Sequence, residues 1–195
     1  MTRIRKFLTD PTLRVCYVKL GYNNQYASYC FESELVVFGL WSGESRMWKA
    51  CIDNKWKTVK KALLRMRHKH LGRYNERDVP HEMRQLKYFF TVPQAPTLWL
   101  NCRDGFLYWA ISGPAEPYPV SEGPSDFLPI KFGDDEMCRR TVEVRWSYKD
   151  LRRRKIAIPE NFAILAYNVA LIQPIRNSAA LIELIKGPPT KSSKK

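Results

Sequence analysis

Residues 98–110 read LWLNCRDGFLYWA: two aromatic-rich runs on either side of an Asp-Gly pair. Asp-Gly flanked by β-formers is about the strongest short hairpin signal a sequence carries. With Asp104 and Gly105 as a two-residue loop, Arg103 faces Phe106, Cys102 faces Leu107, Asn101 faces Tyr108, Leu100 faces Trp109 and Trp99 faces Ala110. Side chains alternate between the faces of a sheet, so this register sorts them into two sets. Leu98, Leu100, Cys102, Leu107, Trp109 and Ile111 make a plain core face. Trp99, Asn101, Arg103, Phe106 and Tyr108 make a second face that mixes aromatic bodies with an amide and a cation. That second face is either another hydrophobic layer beneath helices or the wall of a ligand site.

Outward from the hairpin, β-branched and aromatic runs predict strands at 14–20, 35–41, 141–147 and 168–173, the last stopped by Pro174. In 141–147, Val142, Val144 and Trp146 fall on one side, Glu143 and Arg145 on the other. The segment GYNNQYASY between the first two strands is rich in turn residues. Helical spacing of Trp56, Val59, Leu63 and Met66 predicts a helix from Lys55 to His70. A second helix follows Asp78, with Pro80 in its first turn and Met83, Leu86 and Phe90 as its stripe. A third starts at Asn177 or Ser178 and stops at Gly187. The order describes an α+β protein with a helical insertion at about 55–90 and a long Pro/Gly-rich surface loop at about 112–138. Residues 1–187 are expected to form a single domain and 188–195 a disordered basic tail.

A chain of 195 residues that is 45% hydrophobic can bury a full core, yet it carries a net charge of +14. From Lys55 to Lys87 there are 11 basic and 3 acidic residues, and from Arg139 to Lys155 there are 8 and 2. These two segments account for the whole surplus, which points to an anionic partner, nucleic acid ahead of a membrane surface. The five cysteines show no CxxC or Cys/His spacing, which argues for a reducing compartment and against a disulfide framework or structural zinc. No run approaches the length of a membrane span, and a soluble, cytoplasmic protein is expected.

Catalytic motifs are scarce. His68, His70 and His81 lack an HExxH or deaminase pattern, and there is no P-loop, GxGxxG or GxSxG. Asp134, Asp135 and Glu136 sit in a Gly-containing loop and read better as a solvated turn than as a metal site. No metal and no cofactor are expected. The aromatic residues say more. An indole beside an amide offers what an unstacked base needs: a flat surface for its π-face and donors or acceptors for its edge. Trp99, Asn101 and Tyr108 fit that description. Lys57, Lys60, Lys61 and Arg65 of the first basic cluster, with Arg145, Arg152, Arg153 and Arg154 of the second, are candidate contacts to the phosphate backbone. The Arg triplet in particular stacks adjacent like charges, an arrangement that favours an anion nearby.

The ordered motifs YVKLG, VVFGLW, TLWLNCRDGFLYWA, RWSYKD and LIQPIRNSAALIELIKG resemble the PUA-like, EVE/YTH-related modules found alone or within modification-dependent restriction and phage-defence proteins. The resemblance spans residues 14–187. It implies a twisted PUA-like β-barrel of about six strands with flanking helices, in which an aromatic cage receives a modified base. Carried across by motif, Trp41, Trp99, Trp109, Trp146 and Ser147 become cage and edge-reading candidates. It further implies a sensor of modified or flipped bases, in DNA ahead of RNA, serving defence against foreign DNA. Any cleavage would fall to a separate nuclease or NTPase effector chain. GYNNQYAS departs from the Gly-rich, acidic loop of such modules, which puts the pocket rim in question. The competing readings are a PUA-like RNA-binding domain and a small nuclease or glycosylase using Asp134, Asp135 or Glu143.

Overall fold

The computed structural model describes residues 2–21, 24–39, 45–71, 77–90, 95–113, 118–119, 137–160, 162, 172–176 and 178–187. In chain order the elements are α1 (Thr2–Leu8), β1 (Arg14–Val18), α2 (Ala27–Glu32), β2 (Leu35–Phe38), α3 (Ser45–Ile52), α4 (Trp56–Leu71) and α5 (Val79–Phe90). They continue with β3 (Thr97–Arg103), β4 (Phe106–Ser112), β5 (Tyr118–Pro119), β6 (Cys138–Thr141), β7 (Val144–Ser147), β8 (Ile172–Pro174) and α6 (Ala179–Lys186).

The chain is α+β, and the hairpin lies at its centre. β3 and β4 pair antiparallel in the register expected from the Asp-Gly loop, Arg103 opposite Phe106 through Trp99 opposite Ala110. Asp104 and Gly105 have φ of 51° and 78°, the left-handed pair that a type I′ turn demands. The hairpin sits inside a five-stranded mixed sheet of order β7-β4-β3-β1-β8, in which β1 runs parallel to β3. A smaller sheet has the order β2-β6-β5. Among the described residues the strands thus form two open sheets, not the closed barrel that the resemblance implied.

Both faces of the large sheet are covered, and this settles the double-faced hairpin. Leu98, Leu100, Cys102, Leu107, Trp109 and Ile111 pack with Leu8 of α1 and Leu181 and Ile185 of α6. Trp99 and Ala110, on the opposite face, join a larger core with Val36 and Phe38 of β2, Val59 and Leu63 of α4, and Leu86 and Phe89 of α5. A sheet with helices on both sides needs apolar residues at successive positions, so strict alternation gives way to a continuous run. The apolar stripe of α4 keeps its helical spacing, with Val59, Leu63 and Met66 buried.

Several boundaries differ from the sequence reading. Residues 141–147 are two strands in different sheets: β6 pairs with β2, and β7 pairs with β4. Val142, Val144 and Trp146 therefore do not share a side; Val144 faces the α1/α6 core, while Val142 and Trp146 face the other. A register irregularity between Trp109 and Ile111 accompanies the switch. The turn-rich GYNNQYASY includes the start of α2, and α1 and α3 have no counterpart in the sequence reading. Of the strand expected at 168–173, residues 168–171 lie outside the described residues, as do the expected tail and most of the long loop, and β8 includes Pro174, where the run was expected to stop.

Candidate functional site

The residues nominated from sequence separate into a buried group and an exposed one. Trp99 is 0% exposed; its Nε1–H donates to Ser112 Oγ at 2.9 Å, and its ring lies 6.2 Å from that of Phe89. Asn101 is also 0% exposed, and its Nδ2 donates to Val18 O and to Asn24 Oδ1, both at 2.8 Å. Neither side chain reaches solvent, so neither walls a base slot. The physical reason is coverage: their face of the sheet lies beneath α2–α5. Trp109 is a core residue of the other face, 2% exposed, with Nε1–H on Lys149 O. Trp41 lies outside the described residues.

Towards the hairpin tip this cover is only partial, and there an aromatic strip comes to the surface. Tyr108 stacks on Phe31 of α2, with centroids 4.4 Å apart and planes 12° from parallel. Phe31 continues to Trp146 at 5.0 Å, and Tyr108 to Tyr148 at 5.4 Å. Tyr148 meets Phe106 at 5.5 Å. All five rings are half-buried. Phe31 and Trp146 lean on the larger core, whereas Phe106, Tyr108 and Tyr148 contribute to neither core cluster. Two ammonium groups border the strip, Lys149 Nζ at 5.6 Å from the Tyr148 ring and Lys155 Nζ at 5.2 Å from the Phe106 ring. Burial pushes the Tyr108 phenol above its ordinary value, with Asp104 adding to the rise, so it stays a neutral donor at physiological pH.

Local hydrogen bonds explain why Phe31 sits over Tyr108. Asn24 Oδ1 accepts from Leu20 N and from Asn101 Nδ2, while Asn24 Nδ2 donates to Cys102 O. This bracket ties the turn before α2 to β3. Arg103 Nη1 donates to Ser28 Oγ at 2.8 Å, which holds the helix against the hairpin tip. Asn101 is thus a positioning residue for the strip and does not read a base edge.

Within the Arg152–Arg154 run, Arg154 has its anion inside the protein. Asp150 Oδ1 accepts from the backbone N–H groups of Arg152 and Arg154, and Oδ2 takes Arg154 Nε and Nη2. Burial alone would raise the Asp150 carboxyl; these donors win and hold it below its ordinary value. The resulting turn, with Arg153 at φ 67°, leaves Arg152 and Arg153 exposed and brings Lys149 opposite Lys155 beside the strip. On edge strand β7 a cavity of about 420 Å³ opens, lined among others by Trp109, Arg145, Trp146, Ser147 and Lys149. Four nominated residues meet there. Ser147 Oγ is engaged with Lys149 N and O, and Arg145 Nε with Glu34. Lys57, Lys60, Lys61 and Arg65 are exposed on α4.

Phe31, Tyr148 and Phe106 were not singled out as ligands from sequence, although Phe106 was placed on the hairpin's mixed face. Phe31 and Tyr148 reach the site from outside the hairpin, and no local signal connects them to it.

Among the described residues no three His, Cys, Asp or Glu side chains converge as a metal site, and Asp134–Glu136 lie outside them. Glu143 is paired with Arg3. Among the described residues no helix is long and apolar enough to cross a membrane. Comparison with known proteins finds no matching family model, curated protein or solved structure.

Proposed function

We propose that this chain is a nucleic-acid-binding module that holds unstacked bases on the strip formed by Trp146, Phe31, Tyr108, Tyr148 and Phe106. The observation that carries the reading is the half-exposed Phe31–Tyr108 stack, flanked by the Lys149 and Lys155 ammonium groups. Base–aromatic stacking contributes about 1–3 kcal/mol per base. Lys149, Lys155, Arg152 and Arg153 supply the sequence-independent attraction to phosphate. The cavity on β7, with Trp146 and Ser147 in its wall, is of a size that takes a single base and gives the concave surface that discrimination of a modified base requires.

Within this proposal the chain is a PUA-like module whose sheet stays open, and it reads a modified or flipped base in DNA as a sensor in defence against foreign DNA. These finer assignments are supported by the motif resemblance. Binding to single-stranded or modified RNA is the second reading, favoured by the strip itself, since stacking platforms serve both polymers.

The test is an anisotropy titration with one oligonucleotide, unmodified or carrying 5-methylcytosine, 5-hydroxymethylcytosine or N6-methyladenine, as DNA and as RNA. Tyr108→Ala is expected to weaken binding by about 5- to 150-fold, the equivalent of one lost stack. Unchanged affinity in Tyr108→Ala and Phe31→Ala alike would remove the strip from the interface.

A further inference from the structure

On the opposite edge of the large sheet, α5 presents a polar stripe to β8. His81, Arg84, Gln85 and Tyr88 fall at i, i+3, i+4 and i+7, one face of a helix. They line a cavity of about 360 Å³ whose other wall is Ile172, Gln173, Pro174 and Arg176. The floor is held by Gln85, which is buried and whose Oε1 accepts from Ile172 N at 3.1 Å. Among the described residues no carboxylate lines this cavity. Asp78, just before this helix, and Glu82, on it, are turned to Arg67 of α4. Among the described residues neither Arg84 nor Arg176 forms an ion pair.

We propose that this cavity is a phosphate-binding site, separate from the aromatic strip. Two guanidinium groups from different elements converge on one concave space, and guanidinium is the side chain whose fork of N–H donors matches phosphate oxygens. The His81 imidazole and the Tyr88 hydroxyl add donors on the same wall. Fold geometry favours a preformed cavity, because Gln85 pins α5 to β8. β8 is one edge of the five-stranded sheet, and β4, which carries Phe106 and Tyr108, lies three strand spacings away, roughly 14 Å at ordinary sheet spacing. A single ligand group does not fill both. The phosphate comes either from a free phosphorylated small molecule or from a nucleic-acid strand.

Calorimetric titration of the full chain with inorganic phosphate, with adenosine 5′-monophosphate and with a short oligothymidylate tests the site, using chloride at matched ionic strength as the control. Wild-type protein is expected to bind at least one phosphate probe saturably, and R84Q/R176Q is expected to weaken that binding by about tenfold or more. R84K/R176K keeps the charge and loses the fork; intermediate affinity supports guanidinium recognition. Tighter binding of the mononucleotide assigns the site to a free phosphorylated ligand, and loss confined to the oligonucleotide assigns it to a strand. Tyr108→Ala is expected to leave the inorganic phosphate titration unchanged. Both arginines are exposed, so an R84Q/R176Q protein with unaltered melting temperature reports on binding alone. Absence of saturable binding to every probe, or equal binding by wild type and R84Q/R176Q, overturns the proposal and leaves the strip's role to its own test.

Discussion

Asn101 Nδ2 donates to Asn24 Oδ1 at 2.8 Å across 77 positions of sequence. Through this bond the central hairpin holds the turn that launches α2, and α2 in turn delivers Phe31 to Tyr108. A fully buried amide thereby decides where an aromatic surface forms.

Replacing Asn101 with Ala strands buried partners, Val18 O among them. An unsatisfied buried polar group costs about 1–3 kcal/mol. Asn101→Ala is therefore expected to lower the unfolding free energy by about that amount in a urea titration. A wild-type midpoint would remove the bracket from the account.

Trp99 and Tyr108 sit on the same face of the hairpin and are expected to respond in opposite ways. Trp99→Ala empties a fully buried indole site and costs about 3–5 kcal/mol of stability. Tyr108→Ala, at the half-exposed end, is expected to cost about 1 kcal/mol of stability while losing most nucleic-acid affinity. Parallel denaturant and anisotropy titrations separate the two effects. The converse pattern would place the ligand at Trp99.

All five cysteines are buried thiols. Burial pushes Cys16, Cys30 and Cys51 up to about 12 and Cys102 up to about 11, so the nucleophilic thiolate is scarce at neutral pH. Native protein is expected to resist a thiol-reactive disulfide reagent, and all five thiols to react once guanidinium unfolds it. Rapid stoichiometric reaction of one thiol in native protein would contradict the assignment of these residues to the core.

The Asp150 carboxyl titrates below its ordinary value in the folded protein. Its contribution to stability is therefore complete at neutral pH and is lost as pH falls below about 4, the unfolded value, towards the folded one. Asp150→Asn is expected to remove that acid-limb loss and to loosen the 150–154 turn at pH 7. Amide exchange at Arg152 and Arg154, whose N–H groups bond Asp150 Oδ1, reads the turn directly. Exchange as slow as in the wild type would argue that the turn is held by other means.

The charge-reversal pair Arg152→Glu/Arg153→Glu should weaken all oligonucleotides alike and flatten the dependence of affinity on salt by about one phosphate contact per arginine. Selective loss on modified oligonucleotides would instead make these residues readers of the base.

The hairpin register was legible in the sequence because it is local. Asp-Gly specifies the turn, the turn specifies the pairing, and the pairing sorts the side chains. The core stripes of α4 and α5 were legible for the same reason. Residues 141–147 misled because β-formers continue across the point where the chain changes sheets, and composition does not record which sheet a strand joins. The partner of Arg154 was not legible, because Asp150 holds it through backbone and side-chain bonds made only when the turn closes.

Which hairpin residues share a face, how much positive charge the chain carries and where it clusters were determined by the sequence alone, since each depends on identity and on spacings of a few residues. Whether a face is covered was decided by the tertiary structure: α2–α5 bury Trp99 and Asn101 fully and Tyr108 only in part, so solvent reaches one end of a face and not the other. Alternation along a strand cannot encode that difference, because coverage depends on where elements distant in sequence come to rest.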